Sequence, residues 1–287
     1  MKSAPFDYVR ARSLTEVFDL LEQKESDMRI LAGGQSLLAT LALRLSEPSV
    51  LVDIGGLEKL RFIEERGEAI HIGALTRHCE LERSPLVAAR LPLIAQAIPH
   101  VAHPAIRNRG TIGGSLSLAD PAAELPACML ALDATIVLAS RTGERRVPAE
   151  EFFQGLYQTD IKPGELLVRV EITPYDAAWR FHFAEFSRRR GDYAMVGLAA
   201  AGRGPGRGRL EQVRLVFLGC GDRPVRARAA EVVGSRLPSE QREARYSALR
   251  NALEKELVPQ SDPHAGSQTR MHLAAVLADR ALGVLAD

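Results

Sequence analysis

Two Gly-Gly pairs, each followed by a polar residue and an apolar run, constrain this chain more than any other feature. The first lies in "LAGGQSLLATLALR", where Gly33-Gly34 precede Gln35-Ser36. The second lies in "IRNRGTIGGSLSLADPAAELPA", where Gly113-Gly114 precede Ser115. Glycine admits φ > 0 and lets another backbone or a ligand approach closely, at a cost in conformational entropy. Neither stretch is a Walker loop, because no Gly-Lys-Ser/Thr follows, and neither fits G-x-G-x-x-G. Successive amides in such a turn form an anion-binding concavity, and a helix starting after it adds N–H groups and a positive dipole end. Taken singly, each stretch also reads as an ordinary tight turn. As a pair from different parts of the chain, they suit one ligand between them, such as a dinucleotide whose pyrophosphate both loops clasp.

The flanking pattern is mixed helix and strand. "RSLTEVFDLLEQ" reads as a helix capped by Ser13 with Glu16 at the capping-box position. Met28–Leu31 reads as a strand entering the first glycine loop, a helix starts near Ser36, and "SVLVDIGG" is a second strand. "RFIEERGEAIHIGAL" reads as a hairpin turning at Gly67, with Ile70 and Ile72 on one face. Thr76 is placed to cap a helix through "CELERS", and Pro85 restarts helix. The second glycine stretch reads as a loop before the helix "AELPACMLALD" and the strand "ATIVLAS". "GELLVRVEI" is a further strand, and "TPYDAAW" a linker. Beyond it, "RFHFAEFS", "YAMVGLAAA" and "QVRLVFLGC" predict three antiparallel strands, with an arginine-rich tip at Arg203–Arg209, and three helical stretches follow. Strands followed by helices indicate a separate α+β unit. The boundaries read as 1–177, divided near 56/57 into two subdomains, then 178–287.

Bulk properties exclude several classes. The 287 residues carry a formal net charge of +1, so no broad electrostatic footprint for nucleic acid is present. The start "MKSAPFDYVRARS" lacks an apolar h-region, and no uncharged apolar run reaches the ~18 residues a membrane span needs. A cytoplasmic protein is expected, with association with the inner membrane face left open. Cys79, Cys128 and Cys220 are widely spaced without C-x-x-C, so they read as buried apolar residues rather than cluster or metal ligands. No metal site is expected. His100 and His103 lie close together without obvious partners.

Carboxylates after the second glycine pair add chemistry that phosphate does not need. Asp120 and Glu124 could accept hydrogen bonds from ribose hydroxyls or a heterocyclic N–H. Asp120 also suits a helix N-cap, with Pro121 at N1 and Glu124 in the first turn. Together, "LAGGQSLL", "IRNRGTIGGSL..ADPAAELPA" and "RRRGDYAMV" resemble the FAD-binding medium subunits of molybdenum hydroxylases, the group that includes carbon monoxide dehydrogenase medium subunits and the xanthine dehydrogenase FAD portion. The resemblance spans nearly the whole chain, in order.

It implies an α+β fold: a vanillyl-alcohol-oxidase-like (PCMH-type) FAD-binding domain of two subdomains, then a small C-terminal flavoprotein domain. It implies that Ala32, Gly33, Gly34, Gln35 and Ser36 embrace the FAD pyrophosphate together with Thr111, Ile112, Gly113, Gly114 and Ser115. Asp120 joins this cofactor-binding set, Glu124 is placed near the polar moieties of FAD, and Tyr193 beside the isoalloxazine ring, where an aromatic ring can cover one flavin face. Tyr193 also reads as a strand tyrosine in the core. Two departures stand out: Leu118 replaces a histidine that many relatives carry, and Glu185 stands where some carry lysine. No side-chain catalytic acid or base is implied. The implied role is an electron-transfer flavoprotein, with the molybdenum–pterin centre on a large partner subunit and [2Fe–2S] clusters on a small one. The assembly would be a dimer of heterotrimers passing electrons to a quinone, a carrier protein, dioxygen or NAD. A stand-alone FAD-dependent oxidoreductase of the same fold is the alternative.

Overall fold

The computed structural model describes residues 2–22, 27–205, 209–237 and 241–287. The chain opens with a small parallel sheet. Strand β1 (Asp7–Arg10), helix α1 (Leu14–Leu21), β2 (Met28–Leu31), α2 (Leu37–Ala42) and β3 (Val50–Asp53) follow in order, and the strands lie β1-β3-β2. Parallel neighbours require crossovers, which α1 and α2 supply. The Ser13 hydroxyl accepts the Glu16 amide at 3.2 Å, and the Glu16 carboxylate accepts the Arg12 amide at 2.8 Å, which fixes the start of α1. The edge strand β1 was not anticipated: it is short and mostly exposed, so its sequence lacks apolar alternation.

The second subdomain begins with the hairpin β4 (Ile63–Arg66) and β5 (Ala69–Gly73), turning at Gly67 as expected. Six short helices follow: α3 (His78–Arg83), α4 (Pro85–Arg90), α5 (Pro92–Ala97), α6 (Pro104–Arg107), α7 (Ile112–Leu118) and α8 (Glu124–Ala131). Then come β6 (Thr135–Ser140), β7 (Gly143–Pro148), α9 (Ala149–Phe152), the small pair β8 (Phe153–Gly155) and β9 (Gln158–Thr159), and β10 (Leu166–Ile172). The main sheet is antiparallel, ordered β4-β5-β10-β6-β7. Ile70, Ile72, Ile136, Leu138, Val170 and Ile172 bury one face against the helices, while Val137, Ala139, Leu166 and Val168 pack on the first subdomain. Thr76 does not cap a helix. Its hydroxyl donates to the Phe62 carbonyl at 2.9 Å, and α3 starts from Arg77, whose amide donates to the Glu80 carboxylate.

The C-terminal portion has a sheet of four strands rather than three. Strands β11 (Trp179–Phe186), β12 (Val196–Arg203) and β13 (Gln212–Leu218) pair as expected, and a two-residue strand β14 (Val225–Arg226) adds to β13. Two residues are too few to show a period, which is why sequence patterning passes over β14. Helices α10 (Arg228–Arg236), α11 (Arg242–Leu253) and α12 (Ser267–Ala286) cover one face of this sheet. Alternation splits the strands cleanly. Val196, Leu198, Ala200, Leu215 and Phe217 face these helices, whereas Phe183, Ala199, Val216 and Leu218 belong to the core of the second subdomain. Of the arginine-rich tip, 206–208 lie outside the described residues. Cys128 and Cys220 are buried and Cys79 is partly so.

Candidate functional site

Both glycine motifs come to one place. A β-carbon on Gly33 would stand 2.3 Å from the Arg109 carbonyl oxygen and 2.8 Å from the Gly110 Cα, so only glycine allows the two backbones this contact. One on Gly114 would come 4.0 Å from the Ala32 Cβ. The motifs are therefore neighbours across a seam between the two subdomains.

They are built differently. Ala32–Ser36 is an irregular turn in which Gly34 takes φ +75° and Gln35 Nε2 donates to the Gly33 carbonyl at 3.1 Å. Among the described residues, none accepts from the backbone amides of Gly33, Gly34, Gln35 or Ser36. These donors are half-buried and available to a ligand. Ser36 precedes α2 but its hydroxyl makes no capping bond, so it too is uncommitted.

Gly113 and Gly114, by contrast, lie inside the first turn of α7 and not in a loop. Thr111 caps that helix, its hydroxyl accepting the Gly114 amide at 3.2 Å. The Ile112 amide donates to the Thr76 carbonyl at 3.0 Å and the Gly113 amide to the Ala74 carbonyl at 2.9 Å. Ile112 is a core residue, and a β-carbon on Gly113 would press on Ala74 at 2.6 Å. The free amides expected at this second motif are thus largely consumed by the chain. The motif is a wall clamped to Ala74–His78, and its glycines give closeness rather than positive φ. His78 lies beneath Gly110 with both ring nitrogens unpartnered, and burial lowers its pKa to about 4, so it sits there as neutral imidazole.

Beyond α7 the chain turns at Ala119, with φ +53°. Asp120 is not the cap of α8. Its carboxylate accepts the Ala122 amide at 2.9 Å, its carbonyl accepts the Ala123 amide, and the helix starts at Glu124. This tight turn leaves Glu124 buried at the mouth of α8. Burial, reinforced by the charge of Glu185, pushes its carboxyl up to about 7. Asp120 is also shifted up, first by burial, and Tyr157 donates to its other oxygen at 3.5 Å.

Tyr193 reaches the same region from the loop between β11 and β12. It is 70% exposed, so it is no core residue but an unpartnered ring. Its hydroxyl is partly desolvated, which raises its pKa, followed by the charges of Asp120, Tyr157 and Glu124. Gly191, at φ +89°, seats this loop: a β-carbon there would strike the His103 ring at 2.5 Å. Arg270 of α12 braces it from behind, donating to the Met195 and Gly219 carbonyls and pairing with Asp262.

Several participants escape sequence reasoning. Arg107 is buried, donates to the Val101 and Ala102 carbonyls at 3.1 and 3.0 Å, and pairs with Glu82 at 2.9 Å. It fixes the segment carrying His100 and His103. Those histidines, which the sequence leaves without partners, meet Glu185 and Gly191. Tyr157 holds φ +53° in the β8–β9 turn with 56% of its surface open. Its positive φ gives no signal in the sequence, because nothing marks a tyrosine as left-handed.

The arrangement offers free amides and a hydroxyl at one end, a rigid wall beside them, and carboxylates with an exposed aromatic ring at the other. That sequence of donors, acceptors and flat apolar surface fits a long ligand with phosphate, sugar and ring parts, which is the profile of FAD. No helix among the described residues is long and apolar enough to cross a membrane.

Comparisons with known proteins place the chain in a family. Residues 4–175 match the family described as the FAD binding domain in molybdopterin dehydrogenase, and residues 181–285 the CO dehydrogenase flavoprotein C-terminal domain. The 6-hydroxypseudooxynicotine dehydrogenase complex subunit alpha of Paenarthrobacter nicotinovorans is 40% identical over 284 residues, covering 98% of this chain and 95% of that protein. The structure of carbon monoxide dehydrogenase from Hydrogenophaga pseudoflava superposes with a TM-score of 0.94 at 34% identity, covering 99% of this chain and 98% of the matched one. Quinoline 2-oxidoreductase from Pseudomonas putida 86 gives a TM-score of 0.91 at 38% identity, covering 100% and 98%. On these matches over nearly its whole length, the chain belongs to the family of FAD-binding subunits of molybdopterin dehydrogenases.

Proposed function

We propose that this chain holds FAD in the seam between its two glycine motifs and serves as the electron-transfer flavoprotein of a larger molybdenum hydroxylase. The observation that carries this reading is the direct contact of Gly33 with Arg109–Gly110, which makes one cleft of two motifs far apart in sequence. The free amides of Gly33–Ser36 would take the pyrophosphate oxygens. Thr111, Gly114 and Ser115 would form the opposing wall. Asp120 and Glu124 would meet polar groups of the cofactor, and Tyr193 would cover the ring.

Bound FAD supplies the redox chemistry, accepting electrons from an iron–sulfur partner and releasing them to an acceptor. The chain's residues bind, orient and set the local charge. Oxidation of the organic substrate belongs to a large molybdopterin subunit and cluster ligation to a small [2Fe–2S] subunit, in a dimer of heterotrimers. A quinone, a carrier protein, dioxygen or NAD would take the electrons.

The purified chain is expected to be yellow and to release FAD on denaturation. A colourless chain whose melting temperature does not respond to added FAD would refute the assignment. A chain that oxidises a small substrate without partners would support the stand-alone flavoenzyme instead.

A further inference from the structure

The turn between β8 and β9 carries a tyrosine in a conformation that tyrosine resists. Gly155 pairs with Gln158, so Leu156 and Tyr157 are the two residues of a tight hairpin turn. Tyr157 takes φ +53°, whereas Leu156 is not left-handed. A turn with positive φ only at its second central residue favours glycine or asparagine there. Packing does not repay the strain, since Leu156 and Tyr157 are both exposed. Such strain persists only where the surroundings over-determine it, and it gathers at ligand sites.

The surroundings do over-determine this turn. At its root Phe152 and Phe153 are buried, and Arg223, from the loop after β13, donates to the Gln154 carbonyl at 3.0 Å. The Asp160 amide donates to the Phe152 carbonyl at 2.9 Å. Just before β9, the Tyr157 hydroxyl comes to Asp120, which follows α7 of the second glycine motif. Asp120 is itself pinned. Its Oδ1 accepts the Ala122 amide at 2.9 Å, and the carbonyl of the next residue, Pro121, accepts the Gly219 amide at 2.9 Å. Its Oδ2 has Tyr157 as donor at 3.5 Å, well beyond the ~2.8 Å of a full O–H···O bond. Among the described residues no closer donor reaches that oxygen. A fixed acceptor and a fixed donor face each other without satisfying each other.

We propose that Tyr157 and Asp120 clasp a sugar hydroxyl of the cofactor, Asp120 Oδ2 accepting from that hydroxyl and Tyr157 donating to it. The proposal rests on the FAD reading above and adds Tyr157 to the residues that touch the cofactor. One acceptor beside one donor suits a group that both gives and takes a hydrogen bond, as a hydroxyl does. A phosphate does not suit it, because the carboxylate would repel it. FAD carries such hydroxyls on its ribityl chain and on its ribose.

The test measures FAD affinity of the full chain by titration calorimetry in wild type, Tyr157→Phe, Asp120→Asn and the double variant. Tyr157→Phe keeps the ring and removes only the donor. The melting temperature of the unloaded chain is expected to stay unchanged while FAD affinity falls about two- to tenfold. Because both groups hold one hydroxyl, the double variant is expected to lose less than the product of the two single losses. Losses that multiply, or a Tyr157→Phe affinity less than about twofold below wild type, would overturn the clasp. The visible spectrum of bound FAD is expected to be the same in wild type and Tyr157→Phe. A displaced flavin band would move the contact to the ring and overturn the sugar assignment. ADP, which has the ribose but no ribityl chain, identifies the hydroxyl. Tyr157→Phe weakening ADP as much as FAD places it on the ribose, and ADP binding left unchanged places it on the ribityl chain; both support the clasp. A wild-type chain that binds no FAD overturns the cofactor reading and the clasp with it, whereas wild-type binding with unaffected variants overturns the clasp alone.

Discussion

Replacing Gly33 by alanine tests the seam on which the site depends. The new methyl carbon would stand 2.3 Å from the Arg109 carbonyl oxygen, whereas ordinary contact begins at 3.4 Å, so the two motifs must part by about 1 Å. The second motif cannot yield easily. Its backbone is pinned by the His78 amide donating to the Gly110 carbonyl at 2.9 Å and by the Ile112 and Gly113 amides. The displacement therefore falls on Ala32–Ser36, the segment with the free donors. Overpacking of this kind costs about 1–3 kcal/mol. If FAD requires the native spacing, that cost becomes a loss of roughly five- to 150-fold in affinity. Isothermal titration of the FAD-free chain measures it directly. Gly67→Ala is the control: unlike Gly33, Gly67 sits at positive φ, +62°, yet a β-carbon there meets nothing within 4 Å and lies in a remote hairpin. Gly33→Ala binding FAD within twofold of wild type would refute the claim that contact between the motifs shapes the site.

Three further outcomes follow from the same geometry. Glu124→Gln should stabilise the FAD-free chain in a pH-dependent way. The wild-type carboxyl is raised from 4.5 to about 7, so its contribution is fully present below about 4.5 and lost as pH rises through 7. The advantage of the glutamine should grow from near zero to roughly 3 kcal/mol across that window, and a difference in urea stability that stays flat with pH would contradict it. Tyr193→Ala should leave the melting temperature unchanged, because the ring is exposed, yet weaken FAD binding by up to about tenfold through lost stacking. Tyr193→Phe should restore binding, and fluorescence quenching of FAD reads both. Arg107→Met should cost about 3 kcal/mol of stability by stranding two carbonyls and Glu82; a loss under about 0.5 kcal/mol in thermal melts would remove its role as a brace.

What was readable from the sequence follows a physical line. Elements with a clear period were legible: Ser13 and Glu16 announced α1, and Ile70 and Ile72 announced the buried face of β5. The glycine motifs were legible as sites of close approach, but not in their conformation. "TIGGS" reads as a turn because glycine is a poor helix former, yet the Thr111 cap and the clamp from Ala74 and Thr76 hold it helical. Tertiary contacts override propensity there, and no local pattern reports them. The same limit hid Asp120, which suits a helix cap but closes a turn three residues too early for one. His100 and Glu185 meet only because α5 and the turn after it pack beside β11. Partnership across that distance leaves no mark in spacing.

The wholly buried helix α8 has a consequence for how the chain is made. All eight of its residues are covered, on one side by the second subdomain and on the other by β12 and β13. During synthesis the first cover is complete by β10, but the second is not yet translated. Leu125, Met129 and their neighbours must therefore wait, apolar and open, until the C-terminal sheet emerges from the ribosome. A stall in the linker after Ile172 would leave that surface bare. The nascent chain is then prone to aggregate at that stage, and the proposed cofactor site, whose Glu124 heads the same helix, cannot be finished before the last strands arrive.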